Sequence, residues 1–439
     1  MIMRKQRRNG ELKANIWKRI LAGILLTALT VTALPSIALL TPAKAEAATV
    51  TLKNPRIVKD SSMKSGQKVT WDCIWFGSYP QREVVEDADT YAAIDESYYN
   101  PQTDVIEDAS LFQKLENASG WSDNEIILNG EKYRRMKKGD ALYIGNSNVA
   151  ARYYQWKDSV SWHYFKYEPI KWRVLNVKGN SAFIQTDVAI DNCVYSILDS
   201  ETTWETSSIR SWLNGYDAEK NQDRRDYSKN SFSNNAFSIV QQQVIQLTEV
   251  KNDDNTKYGT EGGNDTKDKI FLLSEQEATT ADYGFVGEWK SDEARRKRSS
   301  TYTKAKGAFS TEANDRRYAG VCCWWLRTPD DNANEALIVD MTGSVILGNN
   351  VTYKWDAVSP VLNLDLSNPN LWSYAGTVCS DGTVNEQKTV SGCEQSVRKV
   401  FQKRSDEVFV ILFLCGNRRE IKRAYRKLVL DRRKKQSYH

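Results

Sequence analysis

Between residues 70 and 366 the chain is a succession of short runs rich in β-branched and aromatic residues, closed by Pro, Gly or Asn. TWDCIWFGSY (70–79, before Pro80), IKWRVL (170–175), SAFIQTDVAI (181–190), DKIFLLS (268–274), VCCWWLRT (321–328, before Pro329) and AVSPVLNLDL (357–366) read as strands. Asn129-Gly130 within EIILNGEKYRRM (125–136) and Thr342-Gly343 between ALIVDM (336–341) and GSVILGNNV (343–351) carry the residues of hairpin turns. Helical spacing appears only in LFQKLENA (111–118), SSIRSWLNGY (207–216) and NAFSIVQQQVIQ (235–246), with EQEA (275–278) starting a further short turn. In 207–216 the serines suit an N-cap, Gly215 suits a C-cap, and Ile209, Trp212 and Leu213 share one face. Strands do not alternate with helices, which excludes a doubly wound parallel sheet. The expected class is α+β: mostly antiparallel strands with two or three short helices.

The N-terminus reads as an export signal. Seven cations against one anion in residues 1–19 precede a run, 20–40, with no charge, and two overlapping A-x-A sites follow, for cleavage after Ala45 or Ala47. Residues 1–48 are therefore expected to be a signal peptide, its long form similar to those of Gram-positive bacteria, and the protein to be extracellular or at the cell surface. An uncleaved anchor is the competing reading, since 21 apolar residues can span a bilayer. The overall charge of +5 is misleading. The first 19 residues hold +6 and residues 398–439 hold +10, which leaves the body, 48–397, at −11. An acidic body does not attract phosphate backbones, so no nucleic acid is expected as a partner.

Seven cysteines fit an oxidising compartment. Cys379 and Cys393 flank a short loop and form a plausible disulfide, and Cys73–Cys193 is a possible second. The spacing offers no zinc set, and His163 and His439 are the only histidines, so no metal and no cofactor are expected. His163, in SWHYFKY, reads as a packed or surface side chain rather than a general base. The abundant aromatics, 14 Trp and 21 Tyr among them, suit a core and also a surface that stacks on sugars or peptides.

Six motifs follow one another in order: WFGSYPQ (75–81), YEPIKWRVL (167–175), TTWETSSIRSWLNG (202–215), DKIFLLSEQEA (268–278), WWLRTP (324–329) and VSPVLNLDL (358–366). Together they resemble the bacterial domain of unknown function 6273, over roughly residues 70–368. The closing pattern is similar to C-type-lectin-like and sulfatase-modifying-factor folds, which is the fold the resemblance implies. Ser359 stands where that family usually has Arg, so a role tied to that Arg does not carry over. The organisation expected is a lead-in (49–69), one domain (70–369) with an insertion (83–165), and a linker with a basic tail (370–439). Trp172, Arg173, Trp212, Trp324, Trp325, Arg327 and Asp340 are the motif residues, read as fold-holding. Trp324 and Leu326 are expected on one strand face, Trp325 and Arg327 on the other. A half-buried guanidinium needs a partner, and Asp340 and Asp365 are the candidates for Arg327.

The function expected is a non-catalytic surface module that binds a glycan, a cell-wall polymer or a protein, with loops 217–234, 251–269 and 287–320 as its presentation surface. The alternative is an extracellular enzyme. One form is a glycan hydrolase, whose two carboxylates the sequence does not single out. The other is a sulfatase-modifying-factor-like oxidase using Cys322 and Cys323. Glu168-Pro169 and Trp355-Asp356 echo lectin calcium motifs, whereas DNANE (331–335) lacks the EF-hand register. EVFVILFLCG (407–416) is too short to span a bilayer. Membrane contact is therefore expected only through the signal peptide or the basic tail, which also reads as a displaced reading frame.

Overall fold

The computed structural model describes residues 50–87, 105–142, 161–311 and 320–386. Strands β1 (Arg56–Lys59), β2 (Gln67–Val85) and β3 (Val105–Glu107) lead to helix α1 (Ala109–Glu116), then to β4 (Glu125–Leu128) and β5 (Glu131–Met136). Next come β6 (His163–Lys178), β7 (Ser181–Thr186), β8 (Asp191–Asn192) and three helices, α2 (Ser208–Asn214), α3 (Phe232–Ala236) and α4 (Ile239–Val244). The next stretch holds β9 (Thr248–Val250), β10 (Thr266–Asp268), β11 (Ile270–Phe271), α5 (Glu275–Ala278), β12 (Lys297–Arg298) and α6 (Thr301–Ala305). The described chain ends with β13 (Val321–Cys322), β14 (Trp324–Pro329), β15 (Glu335–Val339), β16 (Val345–Asn350), β17 (Ala357–Val358), β18 (Val361–Asp365), β19 (Ser373–Cys379) and β20 (Val384–Glu386).

The class is α+β, as expected, with mostly antiparallel pairing. The large sheet runs β11-β18-β7-β6-β2-β19-β20, with β1 and β3 on β2 and the β4–β5 hairpin on β6; a five-stranded sheet runs β16-β15-β14-β17-β8. Among the named strands of the described residues, only β2–β3 and β14–β17 pair in parallel, and an isolated parallel bridge joins Ala189 to Ser299. Six short α-helices are present among the described residues, not two or three. The expected helix over 235–246 is broken in two because Phe237 is extended (φ −128°) and Ser238 caps α4 through a reciprocal bond pair with Gln241. Burial fixes that break: the Phe237 ring lies 5.0 Å from Phe76, 5.7 Å from Phe232 and 6.3 Å from Trp172. Helix α2 forms as read, with Ser207 accepting from the Arg210 amide and Gly215 left-handed at φ 75°.

Strand β2 does not stop at Pro80. Its register against β6 shifts between Trp75 and Ser78 and again between Pro80 and Glu83. At such irregularities a missing N–H is tolerated, and the strand bends onward. The expected limits at 70 and 369 cut across the large sheet: β1 pairs with Gln67–Thr70, and β19 pairs with β2 from Thr70 to Trp75. Residues 105–142 form a side lobe whose own small core joins Val84, Leu115, Tyr133 and Tyr164. The main core holds Trp71, Trp172, Trp204, Trp324 and Trp325 fully buried. Among the described residues, no helix is long and apolar enough to cross a membrane.

The β15–β16 hairpin turns where expected and is pinned there. Gly343 has φ 80°, and a Cβ on it would stand 1.9 Å from the Asp292 carbonyl oxygen. Gly343→Ala is expected to lower stability by on the order of 3 kcal/mol, from overpacking plus a left-handed backbone. An unchanged urea midpoint for the variant would show that the loop moves aside freely.

Candidate functional site

Strand β14 is buried on both faces, which is why VCCWWLRT lacks a polar alternation. Trp324 donates through Nε1 to the Arg295 carbonyl (3.2 Å), Trp325 to the Cys193 carbonyl (3.1 Å), and Trp172 to the Phe76 carbonyl (2.8 Å). Trp212 packs half-buried, its ring 5.8 Å from Phe232. Arg173 bonds Asp187 at 2.6 Å and the Ala294 carbonyl at 3.2 Å. Its neighbour Lys297 is wholly buried and donates to the Thr186 carbonyl at 2.5 Å; burial and Arg173 push the amine well below the usual lysine range. Ser359 is buried in the same region, 3.1 Å from the Thr186 hydroxyl.

The partner of Arg327 is neither Asp340 nor Asp365. Arg327 reaches the Glu277 carboxylate, the Leu272 carbonyl (2.7 Å) and the Lys251 carbonyl (2.8 Å). Asp340 instead closes the β15–β16 turn, accepting from the amides of Thr342 and Ser344, and Asp365 accepts from Ser367. The reason is direction. Asp340 follows β15 beyond Val339, opposite the Trp324 end of β14, while Arg327 points toward α5 from the other end. The possible Cys73–Cys193 disulfide is also absent: both are free thiols. Cys379 is free and lies 3.2 Å from the Thr70 hydroxyl, and Cys393 lies outside the described residues.

Four features bear on chemistry. Burial pushes the Cys322 thiol up to about 12 and the Cys323 thiol well above its usual range, so both are held protonated. Glu168 is ion-paired to Arg82 at 2.5 Å, and Asp356 is wholly buried, with Oδ2 accepting from Asn349 at 2.7 Å and Oδ1 unpartnered. Burial raises the Asp356 carboxyl to about 7. Asp330, Asp331 and Glu335 bring carboxylate oxygens within 4.8 Å of one another. Asp330, however, already accepts from the amides of Asp331 and Gly348, which makes it the cap of this loop. His163 is oriented: its Nδ1 lies 2.6 Å from the buried Glu83 carboxylate.

The side lobe presents a different arrangement. Arg135 stands opposite Tyr164 in the β5–β6 pairing, so Lys137, two residues on, shares a face with Trp162. The Arg135 guanidinium carbon lies 4.1 Å from the Trp162 ring and 4.7 Å from the Trp121 ring, and the Lys137 amine lies 4.5 Å from Trp162. Trp121 rests against Tyr164 (5.7 Å), which Phe112 of α1 buttresses edge-on at 5.6 Å. The result is a cluster on the buried Tyr164 in which Trp121, Arg135, Trp162 and Lys137 are half-buried, assembled from residues up to 43 positions apart in the chain. None of these residues is among the motif residues, and the stack lies outside the three loops read as a presentation surface. The run of cations from Lys132 to Lys138 is visible in the sequence, but nothing local joins it to Trp121 and Trp162.

Residues 179–366 match the family described as a domain of unknown function, DUF6273. The match starts in the β6–β7 turn, so the motifs on β2 and β6 precede it. No curated protein and no solved structure matches the chain.

Proposed function

We propose that this member of the DUF6273 family is an exported, non-catalytic module on a C-type-lectin-like scaffold that binds a glycan, cell-wall or protein ligand outside the cytoplasm. The observation that carries the binding reading is the Trp121–Arg135–Trp162 stack. Aromatic rings half-open to solvent and stiffened by a cation lose little entropy when a ligand packs on them. Export rests on the charged start, the uncharged run 20–40 and the sites at Ala45 and Ala47. The lectin-like scaffold rests on the order of the motifs and on the buried β14, the β15–β16 hairpin and the closing strand β18 that carry the last of them.

N-terminal sequencing of the secreted protein is expected to read from Glu46 or Ala48. In a screen of glycans and cell-wall fractions, the protein is expected to be retained on at least one. Trp162→Ala is expected to weaken that retention by about tenfold or more, the worth of one buried aromatic contact. Retention nowhere, with turnover of a polysaccharide instead, would favour the competing class. That class, an extracellular enzyme, rests on the Glu83-oriented imidazole of His163 and would lose turnover in His163→Ala.

A further inference from the structure

We infer that the ligand of the side-lobe stack is an anionic polysaccharide of uronate type, with a carboxylate seated on Arg135 and a pyranose face against Trp162. This rests on the binding reading above and adds the chemical class.

Charge is the first ground. Lys132 and Arg134 are both paired with Glu125, at 2.6 and 2.5 Å. Arg135, Lys137 and Lys138, by contrast, have no carboxylate partner among the described residues. Three cations without an ion-pair partner within four residues stand out on a body whose net charge is −11. Asp140, whose carboxylate accepts from the Lys137 amide at 2.7 Å, offsets one charge, and acidic groups farther off do not cancel the rest, because fields are screened beyond about 8 Å at physiological salt. The same acidic body opposes a long polyanion lying broadly over the protein, so the contact is local.

Geometry is the second. Both indoles lie against the Arg135 guanidinium. Its Nε makes a 3.4 Å contact with Asn124 Oδ1, and its two terminal nitrogens have no hydrogen-bond partner among the described residues. A planar cation held by its faces offers its N–H edge, and that fork matches a carboxylate with two parallel bonds. Lys137 and Lys138 add point charges beside it. The indoles are only partly buried, and the surface they leave open supplies what a simple anion does not use: an apolar contact for the C–H face of a sugar ring. A uronate presents both features on one residue.

The test is affinity electrophoresis of the purified full chain in gels containing polygalacturonate, a neutral β-glucan, a sulfated polysaccharide or poly-glutamate. Polygalacturonate is expected to retard the protein most, and added salt to weaken the effect. Arg135→Gln is expected to weaken binding by at least about tenfold, the worth of a charge-assisted pair. Arg135→Lys, which keeps the charge but not the fork, is expected to fall between the two, with thermal midpoints confirming folded variants. Equal retardation by neutral glucan, indifferent to Arg135→Gln, overturns the inference while leaving a glycan-binding module. Equal retardation by the sulfated polymer or by poly-glutamate overturns the uronate assignment. Retardation by none of the four overturns the inference. The wider screen of glycans and cell-wall fractions decides separately whether the binding reading falls with it.

Discussion

Replacing Arg327 with alanine is expected to cost about 3–5 kcal/mol of folding stability, the range for removing one member of a buried charged network. The side chain is 4% exposed and bridges three separate stretches: the Glu277 carboxylate on α5, the Leu272 carbonyl after β11, and the Lys251 carbonyl after β9. Its own backbone amide donates to Leu273 at 2.9 Å, and its carbonyl accepts from the buried Tyr195 hydroxyl at 2.9 Å. Without the guanidinium, two carbonyls lose a donor where water enters poorly, and the Glu277 carboxylate keeps, among the described residues, only the Ser274 amide. Arg327→Lys is expected to recover only part of the loss, because one ammonium cannot reach both carbonyls and the carboxylate as the fork does. Urea midpoints of both variants measure this, and an alanine variant as stable as the parent would remove Arg327 from the fold-holding set. Against a typical total of about 5–15 kcal/mol, the alanine variant is expected to be marginal at 37 °C.

Asp356 is expected to make the protein lose stability as pH rises, the reverse of an ordinary paired carboxylate. Its folded-state pKa is about 7, against 3.8 for the free group, because burial disfavours the charged form more than the Asn349 bond favours it. Below pH 4 the carboxyl is protonated both folded and unfolded and makes no difference. Between pH 4 and 7 the folded state holds a proton that the unfolded state has released, so stability falls; above 7 the loss is complete, on the order of 4 kcal/mol. The titratable groups that feel this charge are the thiols of Cys322 and Cys323, and both stay protonated over that range. Asp356→Asn keeps the shape and removes the charge. Urea unfolding of parent and variant is expected to give nearly equal stabilities at pH 4 and a more stable variant at pH 8. A difference that does not change with pH would show that Asp356 is hydrated and ionised in the folded protein.

Much of the local structure was legible. The Asn129-Gly130 and Thr342-Gly343 turns, the Ser207 and Gly215 caps of α2 and the short α5 all follow from residues adjacent in the chain, whose backbone preferences act within a few positions. The break at Phe237 was not legible, because it is made by Phe76 and Trp172, distant in sequence, which hold that ring in the core. The side-lobe stack was not legible. The β5 segment holds cations but only one aromatic, Tyr133, and Trp121 and Trp162 reach Arg135 only because β5 pairs with both β4 and β6.

By itself the sequence determined the succession of short strands, the α+β class, and a half-buried guanidinium at Arg327 in need of a partner. These depend on periodicity, on turn chemistry and on the cost of an unpaired buried charge. Only the tertiary structure decided that the partner is Glu277 and not Asp340, and that Asp356 is sealed from water. It also decided that Cys73 and Cys193 stay apart, and that residues 56–59 and 373–386 belong to the same sheet as β2. The physical reason is common to all of these. Strand pairing joins residues more than three hundred positions apart, and which carboxylate meets which cation is set by strand direction and register, which no local pattern encodes.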